Sequence, residues 1–148
     1  MDNLELIELI RSEFKKDIEQ VFIRGNNRAQ FQVKRDRALE IAGWLYREQG
    51  FRYIISSASD LGDKFEIVYH FSYDKTGLVL NLQVFLPYEK PEIESLAPLI
   101  VAADWIEREM HELFGIRFLH HPNLVPFLSD GNWEADAFPY ARKTPKNE

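Results

Sequence analysis

The chain has 148 residues, a length that fits one domain, and its formal net charge is −6. Proteins bind nucleic acids largely because their cationic side chains displace the counterions of the phosphates, and an acidic chain gains nothing in this way. The net charge therefore argues against nucleic-acid binding. It contains no cysteine, which excludes disulfides, thiolate nucleophiles and cysteine ligation of zinc or iron–sulfur clusters within this chain.

The first fifty residues predict a helix, a hairpin and a second helix. A helix of about four turns is indicated by the apolar spacing of Leu4, Ile7, Ile10 and Phe14. The turn Gly25-Asn26-Asn27 tolerates positive φ and predicts a hairpin. Its alternating apolar residues are Val21, Ile23, Ala29, Phe31 and Val33. The second helix ends at Gly50, and its apolar stripe is Ala38, Ile41, Ala42 and Leu45.

From residue 51 the apolar period changes to two. One strand begins near Tyr53, and two longer strands then face each other across the turn at residues 74–77. The apolar positions of the longer pair are Phe65, Ile67, Tyr69, Phe71, Tyr73, Leu78, Leu80, Leu82, Val84 and Leu86. Such a face has to be covered, and the amphipathic helices are the available cover. We therefore predict an α+β fold with helices packed on an antiparallel or mixed sheet.

Prolines at positions 87, 91 and 98 predict an irregular stretch that ends the sheet. A third helix follows and ends at Gly115; its apolar stripe is Leu99, Ala103, Ile106, Met110 and Leu113. Past Phe118 the chain becomes polar and rich in proline, which is typical of a segment ordered only against another surface. The sequence thus predicts an α+β domain over residues 1–121 and an extended, partner-binding tail over residues 122–148.

The charged residues of the third helix fit two interpretations. Glu107, His111 and either His120 or His121 are candidate metal ligands of a hydrolase or lyase, but Gly115 stands where a zinc-protease helix needs its second histidine. The commoner explanation is a solvated or partner-facing charged stripe opposite the apolar one.

The histidine pair and the tryptophans also leave alternatives open. In extended backbone, the side chains of His120 and His121 point opposite ways, which favours a structural role. Trp105 and Trp133 fit either a core or an interface. No apolar run approaches the ~20 residues that span a bilayer, and the acidic start does not match a signal peptide, so we expect an intracellular protein.

The segment from Trp105 to Pro122 resembles a family signature. It is similar to the 30-kilodalton subunit of complex I, the proton-pumping NADH:quinone oxidoreductase. The same domain occurs in energy-converting membrane-bound nickel–iron hydrogenases and formate hydrogenlyases. The matching positions are Trp105, Glu107, Arg108, Glu109, Glu112, Phe114, Gly115, Ile116, Phe118, His121, Pro122 and Leu124. Glu112 takes a position where the family usually has aspartate.

The resemblance implies a subunit without a cofactor of its own. Iron–sulfur clusters and a nickel–iron or quinone site would lie in partner subunits. The chain would pack against the large subunit homologous to the nickel–iron hydrogenase catalytic subunit, and against iron–sulfur subunits, on the inner face of the cell membrane. The signature residues and Trp133 would then be structural and interface residues, neither catalytic nor metal-binding. We predict a non-catalytic scaffold subunit; the alternative is the metal-dependent hydrolase or lyase.

The chain departs from the complex I pattern after the signature helix. His120 replaces a glycine before the family's His-Pro, and Asn123, Val125 and Pro126 replace an aspartate and two arginines. The long arm of complex I members has no counterpart in these residues. The differences favour the hydrogenase branch over an NADH-linked complex, and they give no basis for carrying over the arginine contacts.

Overall fold

The computed structural model describes residues 1–126, 128, 134 and 137–142. The chain divides into two compact units: unit 1 holds residues 1–55 and 68–84, and unit 2 holds residues 56–67 and 85–148. In chain order, the main elements are α1 Asn3–Glu13, β1 Ile18–Arg24, β2 Arg28–Val33, α2 Ala38–Gly43, β3 Arg52–Asp60, β4 Lys64–Tyr73, β5 Leu78–Pro87, β6 Glu92–Glu94, α3 Ala103–Phe114 and β7 Arg117–Leu119.

Helix α1 begins at a reciprocal cap. The Asp2 side chain accepts a hydrogen bond from the Glu5 main-chain N–H, and the Glu5 side chain accepts one from the Asp2 main-chain N–H, both at 2.9 Å. With 11 residues, α1 is shorter than predicted. Leu4 is 54% exposed and Leu6 is buried in its place. The prediction for Leu4 was wrong because both leucines flank the same stripe, and spacing alone does not tell which flank is covered.

Strands β1 and β2 form the predicted antiparallel hairpin, and the second helix also lies where predicted. Strand β1 stands at an edge of the sheet, so Ile23, predicted on the apolar side, is exposed. Helix α2 continues as a π-helical turn over Trp44–Glu48, and the chain reverses at Gly50, whose φ is +76°. That conformation suits glycine and explains why the helix ends there.

The five-stranded sheet has the order β1-β2-β5-β4-β3. Strands β2 and β5 are parallel, whereas the short turn between β4 and β5 joins antiparallel neighbours. Alternate side chains of β4 and β5 are buried as predicted, except that Tyr73 is only half-buried. The sheet is therefore mixed, which confirms the predicted α+β class.

Unit 2 contains a small parallel sheet that the sequence did not predict. Strands β6 and β7 pair in register from Glu92 with Arg117 to Glu94 with Leu119. Strands of three residues are too short to show a period, so this part was wrongly predicted to be irregular. Helix α3 ends at Gly115 as predicted, but it begins at Ala103, which leaves Leu99 in the preceding turn. Within the described ranges, no helix is both long and apolar enough to cross a membrane.

Candidate functional site in helix α3 and the segment after it

Glu107 is buried in α3 and binds the loop before the helix. Its Oε1 accepts a hydrogen bond from the Ser95 hydroxyl at 2.5 Å, and its Oε2 accepts one from the Leu96 main-chain N–H at 2.8 Å. Ser95 Oγ accepts in turn from the Ala97 N–H at 3.0 Å. Burial raises the pKa of Glu107 to about 7, although these hydrogen bonds lower it in part. The predicted solvated stripe is wrong here, because the loop at 95–97 covers the carboxyl group.

His121 is buried beside the same carboxyl group. Its Nδ1 accepts a hydrogen bond from the Asn123 N–H at 2.9 Å, and its Nε2 donates to the Asp104 main-chain oxygen at 3.2 Å. Since one ring nitrogen accepts and the other donates, the network assigns a neutral imidazole with its proton on Nε2. Oδ1 of Asp104 is equally close, at 3.2 Å, and has no hydrogen-bond partner among the described residues. Glu107 Oε1 lies 3.9 Å from Nε2.

His120 points the other way, out of the protein. Its side chain is 79% exposed, and its Nδ1 lies 2.8 Å from Glu94 Oε2. The two adjacent histidines diverge as predicted, but the backbone is not extended, because the φ of His120 is +65°. Glycine adopts this region without steric cost, which gives a physical reason for the glycine that the resembled family has at this position.

Arg108 and Glu112 hold the next segment along α3. The Arg108 guanidinium donates to the main-chain oxygens of Val125 at 2.8 Å and Pro126 at 3.4 Å. The buried Glu112 carboxylate accepts from the Leu128 N–H at 2.9 Å. These bonds cross the predicted domain boundary at residue 121, and the division into a domain and a tail stays a prediction. Val125, Pro126 and Leu128 of the predicted tail are thus bound by this chain's own helix.

The end of α3 is closed by contacts that require Gly115. Its φ is +80°, and a Cβ at this position would lie 2.9 Å from the Phe138 ring. Beside it, His111 Nδ1 donates to the Ile116 main-chain oxygen at 2.7 Å, and burial lowers the pKa of His111. The Tyr140 N–H donates to the Leu113 oxygen at 2.9 Å.

The other signature residues divide between core and surface. The buried ones are Phe114, Ile116 and Phe118. Leu124 is half-buried and Pro122 is exposed. Trp105 is 68% exposed and follows Val101, which is 82% exposed. The core interpretation of Trp105 is therefore wrong, and its interface interpretation stays a prediction. Trp133 lies outside the described residues.

The candidate metal ligands are not brought together. His111 binds a main-chain oxygen, His120 faces Glu94, and only His121 approaches Glu107, at 3.9 Å. In the part of the chain that the structure describes, no three histidine, aspartate or glutamate side chains converge so as to hold a metal ion. The geometry does not assemble the site that the hydrolase or lyase alternative requires.

Comparison with known proteins confirms the resemblance. The family model described as the respiratory-chain NADH dehydrogenase 30 Kd subunit matches residues 31–148. The C-type subunit of the F(420)H(2) dehydrogenase of Methanosarcina mazei is 37% identical over 132 residues, which cover 86% of this chain and 83% of that protein. The fused C/D-type subunit of the NADH-quinone oxidoreductase of Methylococcus capsulatus is 34% identical over 70 residues, 47% of this chain but only 12% of that longer protein.

Two solved structures share the fold. A chain of the membrane-bound sulfane sulfur reductase, an archaeal respiratory membrane complex, superposes with a TM-score of 0.82 over 93% of this chain and 82% of its own length, at 21% identity. The trypsin-resistant fragment of Nqo5 gives a TM-score of 0.67 over 84% of this chain and all of the fragment, at 25% identity. These likenesses agree with the mixed α+β architecture.

Proposed function

The chain belongs to the 30-kilodalton subunit family of the respiratory-chain NADH dehydrogenase, and we propose that it is a non-catalytic docking subunit of a membrane-attached redox complex. Its partner is the large subunit related to the nickel–iron hydrogenase catalytic subunit. The relatives from Methanosarcina mazei and Methylococcus capsulatus are subunits of oxidoreductases, which supports this proposal. The single observation that carries it is the exposed Trp105 at the start of the family signature.

Trp105 differs from its signature neighbours because most of its side chain is exposed. Glu107, Arg108 and Glu112 each bind main-chain groups of unit 2, so their identity is explained by folding. Trp105 instead presents a large apolar ring to solvent, and the smaller apolar side chain of Val101 is exposed one turn earlier. Tryptophan is enriched at the energetic centres of protein interfaces, where its ring fills a pocket of the partner.

The fused relative supports the choice of partner. In Methylococcus capsulatus a single chain is named for both the C and the D components, and the match to this chain covers only 12% of it. A covalent link between two modules keeps them at a high effective concentration, which suits modules that stay in contact. The D-type part of such a chain is therefore the favoured partner, and in this family it corresponds to the hydrogenase-like large subunit.

In the proposed complex, the electron-carrying groups lie in other subunits. Iron–sulfur clusters and a nickel–iron or quinone site belong to the partners, which agrees with the lack of cysteine thiolates here. The complex sits on the inner face of the cell membrane and holds this chain there as a peripheral subunit. The preference for a hydrogenase over an NADH-linked complex stays a prediction; the two relatives belong to an F(420)H(2) dehydrogenase and an NADH-quinone oxidoreductase.

Replacing Trp105 tests the docking proposal. We expect Trp105→Ala to weaken binding of the full chain to its co-expressed large subunit by about thirtyfold or more, because interface tryptophans are frequent hot spots. Affinity capture followed by titration measures the loss. Phe22→Ala is the matched control, since Phe22 is an aromatic residue of β1 that is 54% exposed. Binding of Trp105→Ala at the wild-type affinity would overturn the proposal.

A further inference from the structure

We infer that the partner presents an arginine to Glu109, beside the apolar pocket that receives Trp105. This inference rests on the proposed docking function and adds the chemistry of the surface that this chain recognises. It starts from the three consecutive charged residues of the signature, Glu107, Arg108 and Glu109, of which the fold explains only two.

The first two charges are satisfied within the chain. Glu107 accepts hydrogen bonds from Ser95 and Leu96, and Arg108 donates to the main-chain oxygens of Val125 and Pro126. The hydrogen bonds of Glu107 hold the loop before α3, and those of Arg108 hold the segment after β7. Their charges therefore serve the fold, and a partner is not needed to account for them.

Glu109 is different. Its side chain is half-buried, and none of the residues that the structure describes forms a hydrogen bond or ion pair with it. It follows Trp105 by four positions on α3, so the two side chains lie on one face of the helix. Val101 precedes Trp105 by four positions, in the turn that leads into α3. Val101, Trp105 and Glu109 thus form one row along this face. The row places two exposed apolar side chains next to a carboxylate whose charge no described residue neutralises.

Docking an apolar surface around Trp105 removes water from this carboxylate. A charge that loses its hydration without gaining a partner costs several kcal/mol, so a stable interface needs an opposite charge there. Arginine fits better than lysine, because its planar guanidinium binds a carboxylate through two hydrogen bonds and stacks on an indole ring. A guanidinium set between Glu109 and Trp105 would use both properties at once.

The charge of the whole chain agrees with a basic partner surface. The formal net charge of −6 attracts a positively charged patch at long range, which speeds association and makes it sensitive to salt. An apolar partner without a cation at this point would instead leave Glu109 buried and unpaired.

Three variants of the full chain, each bound to the co-expressed large subunit, test the inference. We expect Glu109→Gln to weaken binding roughly tenfold and to flatten its dependence on ionic strength, because the neutral amide keeps the shape but loses the charge. Glu109→Lys should weaken binding roughly a hundredfold, since it places like charges together. Glu89→Gln is the control, an exposed carboxylate of the same unit that lies outside α3.

The outcomes separate this inference from the docking proposal. If Trp105→Ala weakens binding while both Glu109 variants bind like the wild type at every salt concentration, docking stands and the arginine is refuted. If Glu109→Gln and Glu89→Gln weaken binding equally, only general electrostatic attraction remains, and the specific pair is again refuted. If Trp105→Ala and both Glu109 variants all bind normally, the docking proposal itself fails. Recovery of Glu109→Lys binding by an arginine-to-glutamate change in the partner would identify the paired residue directly.

Discussion

Two faces of helix α3 both carry a glutamate, but they differ in burial and in hydrogen bonding. The inward face bears Glu107, which is buried and binds the loop at 95–97. The outward face bears Trp105, which is mostly exposed, and Glu109, which pairs with none of the described residues. A buried carboxylate and an exposed tryptophan invert the usual distribution of polar and apolar groups. The inversion teaches that one family signature can combine a residue that the fold buries with a residue that it leaves exposed, and we propose that the exposed one meets a partner.

The largest expected effect is a loss of folding stability when the inward face is changed. Glu107→Ala leaves the Ser95 hydroxyl and the Leu96 N–H without their acceptor and opens a cavity, so we expect it to destabilise the chain by about 3 kcal/mol. Urea unfolding at pH 5 measures the change. Glu109→Ala on the outward face is the matched control and should shift the free energy of unfolding by less than about 0.5 kcal/mol. Equal losses in the two variants would remove the distinction between the faces.

The inward face should also make stability depend on pH. The pKa of Glu107 is about 7 in the folded chain and 4.5 in its ordinary state, so the folded protein binds the additional proton between these values. The stabilisation from this group is complete below pH 4.5 and is lost as the pH rises through 7, by on the order of 3 kcal/mol. Urea unfolding from about pH 4 to about pH 8 follows this loss. The free energy of unfolding of Glu107→Gln should lack this part of the dependence on pH. Parallel plots of unfolding free energy against pH for the variant and the wild type would contradict the raised pKa of Glu107.

Replacing Gly115 tests how closely the chain is packed at the end of α3. Gly115→Ala combines a strained φ of +80° with a close approach to the Phe138 ring, and we expect a loss of about 2 kcal/mol. Gly50→Ala is the control, because its φ is +76° but no described atom lies within 4 Å of the added Cβ. It should lose only about 1 kcal/mol. Thermal or urea unfolding compares the two, and equal losses would show that the contact with Phe138 adds no cost.

The smallest expected effect concerns the outward face in the free chain. Trp105→Ala should change the free energy of unfolding by less than about 0.5 kcal/mol, because the side chain is mostly exposed before docking. Urea unfolding of the chain without its partner measures this. A loss comparable to that of Glu107→Ala would mean that Trp105 supports the fold, and it would weaken the interface interpretation.

Much of the fold was predictable because it depends on local periodicity. The β4–β5 hairpin follows from strict alternation, and the helix stop at Gly115 follows from one residue that tolerates positive φ. In the candidate site, the sequence identified the signature residues by resemblance and offered an interface as one of two roles for Trp105. It also predicted correctly that His120 and His121 diverge.

Tertiary contacts decided the rest. Spacing along α3 could not show that Glu107 is buried, because its cover comes from a loop more than ten residues earlier in the chain. The pairing of β6 with β7, and the binding of Val125, Pro126 and Leu128 by Arg108 and Glu112, are likewise contacts between separate segments. A sequence shows which residues share one side of a helix or strand; only the folded chain determines what covers that side, and the cover determines whether a charge supports the fold or meets a partner.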